Sequence, residues 1–218
     1  MKRLIALTIA ALSLLFAVGA SASVLIYQND FSAKQHFQRI VKLEGGGKCK
    51  HSWQNKRAFE VRVNAGRHDC LYTTPVEGDS KQPDMMIQAR AKVLDRTHKK
   101  IRDKVYIGLA LRANRKSAYE LRVFPKGRTY ELIRNGILVD SGKNDAIASL
   151  DQKNQMRLSA DGRSVVAKVN GTRLAGFEDE AIEEVRGQQS GLIFGSEAKP
   201  NKDGFGVFDN VKVFLPNP

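Results

Sequence analysis

The sequence predicts an all-β chain, folded as a two-sheet antiparallel β-sandwich of the jelly-roll type. Three observations carry that prediction. Apolar and polar residues alternate in one short run after another, which is the period of a half-buried strand. Turn chemistry separates the runs, at Asn114-Arg115-Lys116-Ser117, Pro125-Lys126-Gly127, Asn135-Gly136, Ser141-Gly142, Asp161-Gly162 and Asn170-Gly171. Helical material is nearly absent: only Phe177 to Arg186, rich in Glu and Asp, reads as a short helix or an acidic loop.

Taken in order, the first residues are not part of the fold. Met1-Lys2-Arg3 is a positive start, Leu4 to Val18 is almost wholly apolar, and Ala20-Ser21-Ala22 is a small-x-small cleavage pattern. Residues 1–22 are expected to be a secretory signal peptide and 23–218 a single domain. The apolar run is shorter than the ~20 residues that span a bilayer, and no transmembrane segment is expected after it. The chain is therefore expected to be exported, to the periplasm or beyond the cell.

Val24 to Tyr27 starts the first strand, ended by Asn29-Asp30-Phe31-Ser32. Phe37 to Leu43 is strand-like and stops at Gly45-Gly46-Gly47, a glycine run without the Lys-Ser/Thr ending of a phosphate loop. Phe59, Val61 and Val63 alternate with Glu60, Arg62 and Asn64, and Cys70 to Thr73 is expected to return beside them. Met85 to Val93 is the cleanest alternation outside the middle of the chain.

The middle, Val105 to Gly171, reads as a β-meander. One apolar face carries Val105, Ile107, Leu109 and Leu111. The next strands place Tyr119, Leu121, Val123, Tyr130 and Leu132 inward, and Glu120, Arg122 and Glu131 outward. Met156, Leu158, Val165, Ala167 and Val169 continue the pattern, and Gly191 to Gly195 and Phe205 to Phe214 close the chain as strands.

The formal net charge is +13, of which Lys2 and Arg3 supply two. Such a basic exported protein suits an anionic glycan, phospholipid headgroups or nucleic acid as partner, or else the charge serves solubility alone. The densest basic run, Arg96 to Lys104, is expected to be a solvated hairpin loop. No aromatic-interleaved platform of the RNA-binding kind is present, so no nucleic-acid partner is expected. The only two cysteines, Cys49 and Cys70, are expected to pair in an exported chain, contributing about 3 kcal/mol. His51 and His68 each lie two residues from a cysteine, which leaves a Cys2His2 metal site as the alternative.

The order of landmarks resembles the concanavalin A-like (LamG-like) jelly-roll superfamily, and is similar to its 3-keto-disaccharide hydrolase-like branch. The residues that carry this are Asp30-Phe31-Ser32, Tyr119 to Val123 followed by Arg128 to Arg134, Asn154 to Leu158 with Asp161-Gly162 and Val169-Asn170-Gly171, Ser190 to Phe194, and Phe208 to Val213. The resemblance implies neighbouring first and last strands. It also implies a structural Ca²⁺ near Asp30 and Asp209, or else Asp30 capping a turn and Asp209 bonding local backbone. Members include lectins, carbohydrate-binding modules, glucanases and alginate lyases, so the fold does not choose among them.

The chemistry-bearing residues narrow that choice. A retaining glucanase needs carboxylates alternating on one strand. The nearest match, Glu77-Gly78-Asp79, sits in a proline-flanked loop with Lys81 and Gln82 where the third carboxylate belongs. That favours a non-catalytic carbohydrate-binding module. Glu120, Arg122 and Glu131, joined by Arg112 from a neighbouring strand, form either a ligand or acid–base site or cross-strand ion pairs. A glycoside hydrolase or polysaccharide lyase, and a structural or interaction domain of the cell envelope, are the alternatives. Trp53 either stacks on a sugar ring or anchors its loop beneath the disulfide. Asn170-Gly171-Thr172 matches a glycosylation sequon, but Asn-Gly is also the commonest hairpin turn and is read as one.

Overall fold

The computed structural model describes residues 23–33, 40–43, 48–54, 58–64, 68–77, 83–198 and 202–216. The expected leader and Asp79, Lys81 and Gln82 lie outside them. The described residues form fifteen strands: β1 (Ser23–Asn29), β2 (Val41–Lys42), β3 (Cys49–Gln54), β4 (Ala58–Asn64), β5 (His68–Glu77), β6 (Met85–Val93), β7 (Val105–Ala113), β8 (Tyr119–Phe124), β9 (Thr129–Arg134), β10 (Ile137–Lys143), β11 (Asn154–Asp161), β12 (Ser164–Val169), β13 (Thr172–Glu178), β14 (Gln189–Ser196) and β15 (Asp203–Pro216).

The strands form two antiparallel sheets, as predicted. The eight-stranded sheet runs β13-β12-β11-β6-β15-β4-β3, with β1 also on β15. The seven-stranded sheet runs β10-β9-β8-β7-β14-β5-β2. β15 is long enough to serve two partners on one side: Asp203 to Phe208 pair with β4, and Val211 to Pro216 pair with β1. The first and last strands are thus neighbours, as the resemblance implied.

Alternation fills the space between the sheets. Val61, Ile87, Ala89, Met156, Leu158, Val165 and Phe208 from one sheet share a core with Ile107, Leu109, Tyr119, Leu121, Val123, Leu132 and Phe194 from the other. Each fully buried side chain of this size contributes about 1.5–3 kcal/mol. The sheets meet closely where Gly206 faces Phe194: a Cβ there would lie 2.4 Å from the ring. The β9–β10 and β12–β13 hairpins turn at Asn135-Gly136 and Asn170-Gly171, whose residues all have positive φ, the backbone that Asn-Gly accepts most readily.

Several expectations need correction. The meander is divided between the sheets: β7 to β10 lie in one and β11 to β13 in the other. β5 does not lie beside β4 but in the opposite sheet, so the Cys49–Cys70 disulfide (Cα–Cα 5.7 Å) ties sheet to sheet. Ser141-Gly142 is strand rather than turn. β13 ends within the stretch read as helix or acidic loop, and the rest holds only a 3-10 turn at Ile182–Glu184. Arg96 to Lys104 is not simply solvated. Thr97 and Ile101 are 1% exposed, and the Thr97 hydroxyl accepts from Phe205 N at 3.0 Å. That hydroxyl and the buried Ile101 pin the basic loop to the sandwich.

Candidate functional site

Residues from four strands converge on the outer face of the seven-stranded sheet. Arg122 of β8 stands directly opposite Glu131 of β9, as alternation predicted. Its Nε and Nη2 donate to Glu120 Oε2 at 2.9 and 2.7 Å, and Nη2 also donates to Asp69 Oδ2 of β5 at 2.8 Å. The guanidinium lies 4.7 Å from the ring centroid of Tyr106 of β7. The Tyr106 hydroxyl donates to the other oxygen of Asp69.

A glycine makes this closure possible. Gly195 of β14 lies in register between Asp69 and Tyr106. A Cβ on it would sit 2.3 Å from the Tyr106 hydroxyl and 2.8 Å from Asp69 Oδ1. A glycine inside a strand pattern marks such close approaches, and that was the signal available for Tyr106 and Asp69. Sequence reasoning missed both, along with Glu197 and Lys104. These four, with Arg122 and the buried Ser196, line a cleft of about 550 Å³.

The electrostatics follow from the crowding. Burial first, then the charge of Asp69, holds the Tyr106 phenol well above its ordinary pKa. Burial works against the charge on Arg122, but Tyr106, Glu120 and Asp69 more than offset it and raise its pKa, so the guanidinium stays protonated. Burial and then Glu197 raise the pKa of Glu131, with Arg122 opposing. The folded state therefore favours the protonated form of Glu131. In the lining Asp69 and Glu197 balance Arg122 and Lys104, and Glu120 and Glu131 flank Arg122, so the site offers acceptors to hydroxyl groups.

Other expected site residues fall elsewhere. Arg112 does not join Glu120 and Arg122. It occupies a bulge with φ 48° and is fully buried. Its side chain donates to Pro83 O (3.1 Å), Gly162 O (2.8 Å) and Asp84 Oδ1 (3.2 Å). Trp53 sits on edge strand β3, half-buried against the core, and its indole N–H donates to Phe31 O at 2.7 Å. That is an anchored ring rather than an open platform. Both cysteine sulfurs are in the disulfide, which removes the Cys2His2 alternative.

Asp30 and Asp209 line one cleft, of about 810 Å³, on the outer face of the eight-stranded sheet. Asp30 Oδ1 accepts from Ser32 N at 2.9 Å, the turn-capping role. Asp209 is engaged by Lys153 at 2.9 Å and Arg90 at 3.4 Å. Calcium takes six to eight oxygens, and the described residues hold no cluster of three or more His, Cys, Asp or Glu side chains placed for a metal. A Ca²⁺ at Asp209 would have to displace two cations. This cleft is larger than the one at Arg122, but its charges pair off, and Arg96 likewise holds Glu60. Size favours it; unsatisfied chemistry favours the Arg122 cleft.

No family model matches the chain, and no curated protein matches it in sequence. The fold is nonetheless shared with solved structures. A Bacillus subtilis protein of unknown function with a galectin-like fold superposes with TM-score 0.62 at 14% identity, over 88% of this chain and 97% of its own. A laminarinase from Flavobacterium gives 0.55 at 13%, over 88% and 100%. A carbohydrate-binding module from Bacillus subtilis gives 0.51 at 13%, over 82% and 92%. At these identities the likeness is one of fold alone, the two-sheet antiparallel β-sandwich.

Proposed function

We propose that this is an exported carbohydrate-binding module whose sugar contact is the cleft at Arg122. The observation that carries the reading is the convergence of Asp69, Tyr106, Arg122, Glu131, Glu197 and Lys104 on one sheet face. Carboxylates held in place by a shared guanidinium and a phenol are preorganised acceptors for sugar hydroxyls. The balanced charge of the lining suits a neutral sugar. The fold shared with carbohydrate-binding modules and a glucanase supports the class, and the disulfide supports export. Among the described residues no helix is long and apolar enough to cross a membrane.

A glycan array followed by calorimetry tests this. Neutral oligosaccharide binding that falls with Glu131→Gln and Glu120→Gln is expected; an array with no bound neutral glycan overturns it. The raised pKa of Glu131 favours one second reading, a hydrolase or lyase with Glu131 as proton donor. Reducing-end release that disappears in Glu131→Gln would select it over pure binding.

A further inference from the structure

On the outer face of the eight-stranded sheet several cations have a carboxylate. Arg62 holds Asp203 at 2.6 Å, Lys92 holds Asp151 at 2.9 Å, and Arg90 and Lys153 share Asp209. One row across the strands departs from this. Arg173 of β13 lies opposite Lys168 of β12, and Lys168 opposite Arg157 of β11. Arg157 then faces Gln88 of β6, Gln88 faces Lys212 of β15, and Lys212 faces Gln28 of β1.

The row points outward. Its chain neighbours Ala167, Val169, Met156, Leu158, Ile87, Ala89, Val211 and Val213 are all buried. Arg173 lies over Gly176, where a Cβ would meet its guanidinium. None of the four cations makes a hydrogen bond or ion pair with a described residue, and the row contains no carboxylate. Like charges directly opposite each other cost stability, so the arrangement works against the fold. At a strand spacing of about 4.8 Å the cations, from Arg173 to Lys212, extend over roughly 19 Å.

We propose that this row is a second ligand surface, for an acidic polysaccharide: a linear glycan with a carboxylate or sulfate on successive sugars, lying across the strands. The cations meet the anionic groups one strand at a time, and the amides of Gln88 and Gln28 meet hydroxyls. Bases are disfavoured because no aromatic side chain stands in the row. The choice of a glycan as the polyanion rests on the carbohydrate reading above; the location of the surface does not.

The test is calorimetry with polygalacturonate against neutral dextran, at low and high salt, with a single-stranded oligonucleotide and phosphatidylglycerol vesicles as further arms. Polygalacturonate is expected to bind the protein, and to bind the folded Arg157→Gln/Lys168→Gln variant roughly tenfold or more weakly, with reduced salt dependence. Glu131→Gln should leave it unchanged. Equal binding by the double variant, no binding by the protein, or preference for oligonucleotide or vesicles overturns the proposal. Polygalacturonate binding without any neutral-sugar binding would defeat the cleft reading and leave this one standing; the reverse result would defeat this one alone.

Discussion

On the seven-stranded sheet, Asp69 and Glu120 grip one arginine, with Glu131 opposite it, on a face closed by Leu71, Tyr106, Ala110, Phe124 and Ile193. On the eight-stranded sheet, Arg157, Lys168, Arg173 and Lys212 stand in a row with no acid between them. The first face shields Arg122 and raises the pKa values of Arg122 and Glu131; the second leaves Arg157 and Arg173 in water. Removing a charge should therefore cost stability on the first face and release strain on the second.

The largest effect is expected from Arg122→Ala. It strands Asp69 and Glu120 in a half-buried setting, and a loss of about 3 kcal/mol is expected in urea unfolding, with loss of neutral-sugar binding. Arg157→Ala, its counterpart on the other face, is expected to stay within about 0.5 kcal/mol. If the two variants cost the same, the contrast between the faces fails. Removing the disulfide by Cys49→Ser/Cys70→Ser should cost a comparable ~3 kcal/mol, since it closes a long loop. It joins the two sheets beside Asp69, whose carbonyl lies 3.8 Å from Cys49 Sγ, so neutral-sugar binding is expected to weaken while polygalacturonate binding persists in whatever fraction remains folded.

Smaller effects sharpen the comparison. Lys168→Glu, placed between Arg157 and Arg173, is expected to stabilise the fold by roughly 0.2–1 kcal/mol while weakening polygalacturonate binding. The pH dependence reports on the acidic face. The folded-state pKa of Glu131 is raised above its ordinary 4.5, so the folded state favours the protonated form. The stability it contributes is present below that value and declines as pH rises through the raised pKa. Glu131→Gln should remove this decline, so the variant gains on the wild type from acid toward neutral pH. Asp179 has the opposite sign. Tyr119 and Arg134 hydrogen bonds outweigh burial and hold its pKa below 3.8, so its contribution is lost only as pH falls through that lowered value. Dialysis against a chelator is expected to leave the melting temperature unchanged, because Lys153 and Arg90 already balance Asp209.

Much of the fold could be read from the chain. Met85 to Val93 alternates without a break because each inward residue meets the core and each outward one meets solvent. β3 and β13 could not be read. Their outward and edge positions, such as Lys50, His51, Thr172 and Arg173, are polar in succession. β13 also carries a bulge that shifts its register between Ala167 and Lys168 of its partner, which breaks the period.

At the candidate site, Arg122 facing Glu131 was legible because a hairpin fixes which side chains share a face. Asp69 and Tyr106 were not. Asp69 is separated from Arg122 by 53 positions and from Tyr106 by 37, and its strand reaches them only because β14 inserts between β5 and β7. The basic row was hidden for the same reason. Its four cations come from β11, β12, β13 and β15, and none of them is adjacent in sequence.

By itself the sequence determined the strand periods, the Asn-Gly hairpins, the cysteine pair and the outward direction of Glu120, Arg122 and Glu131. These depend on near neighbours and on a period of two. Only the tertiary structure decided that Cys70 belongs to the opposite sheet, that Arg112 turns inward, and that Asp69 and Tyr106 complete the cleft. Those outcomes depend on the lateral order of strands, which backbone hydrogen bonding sets between segments far apart in the chain and which no local pattern encodes.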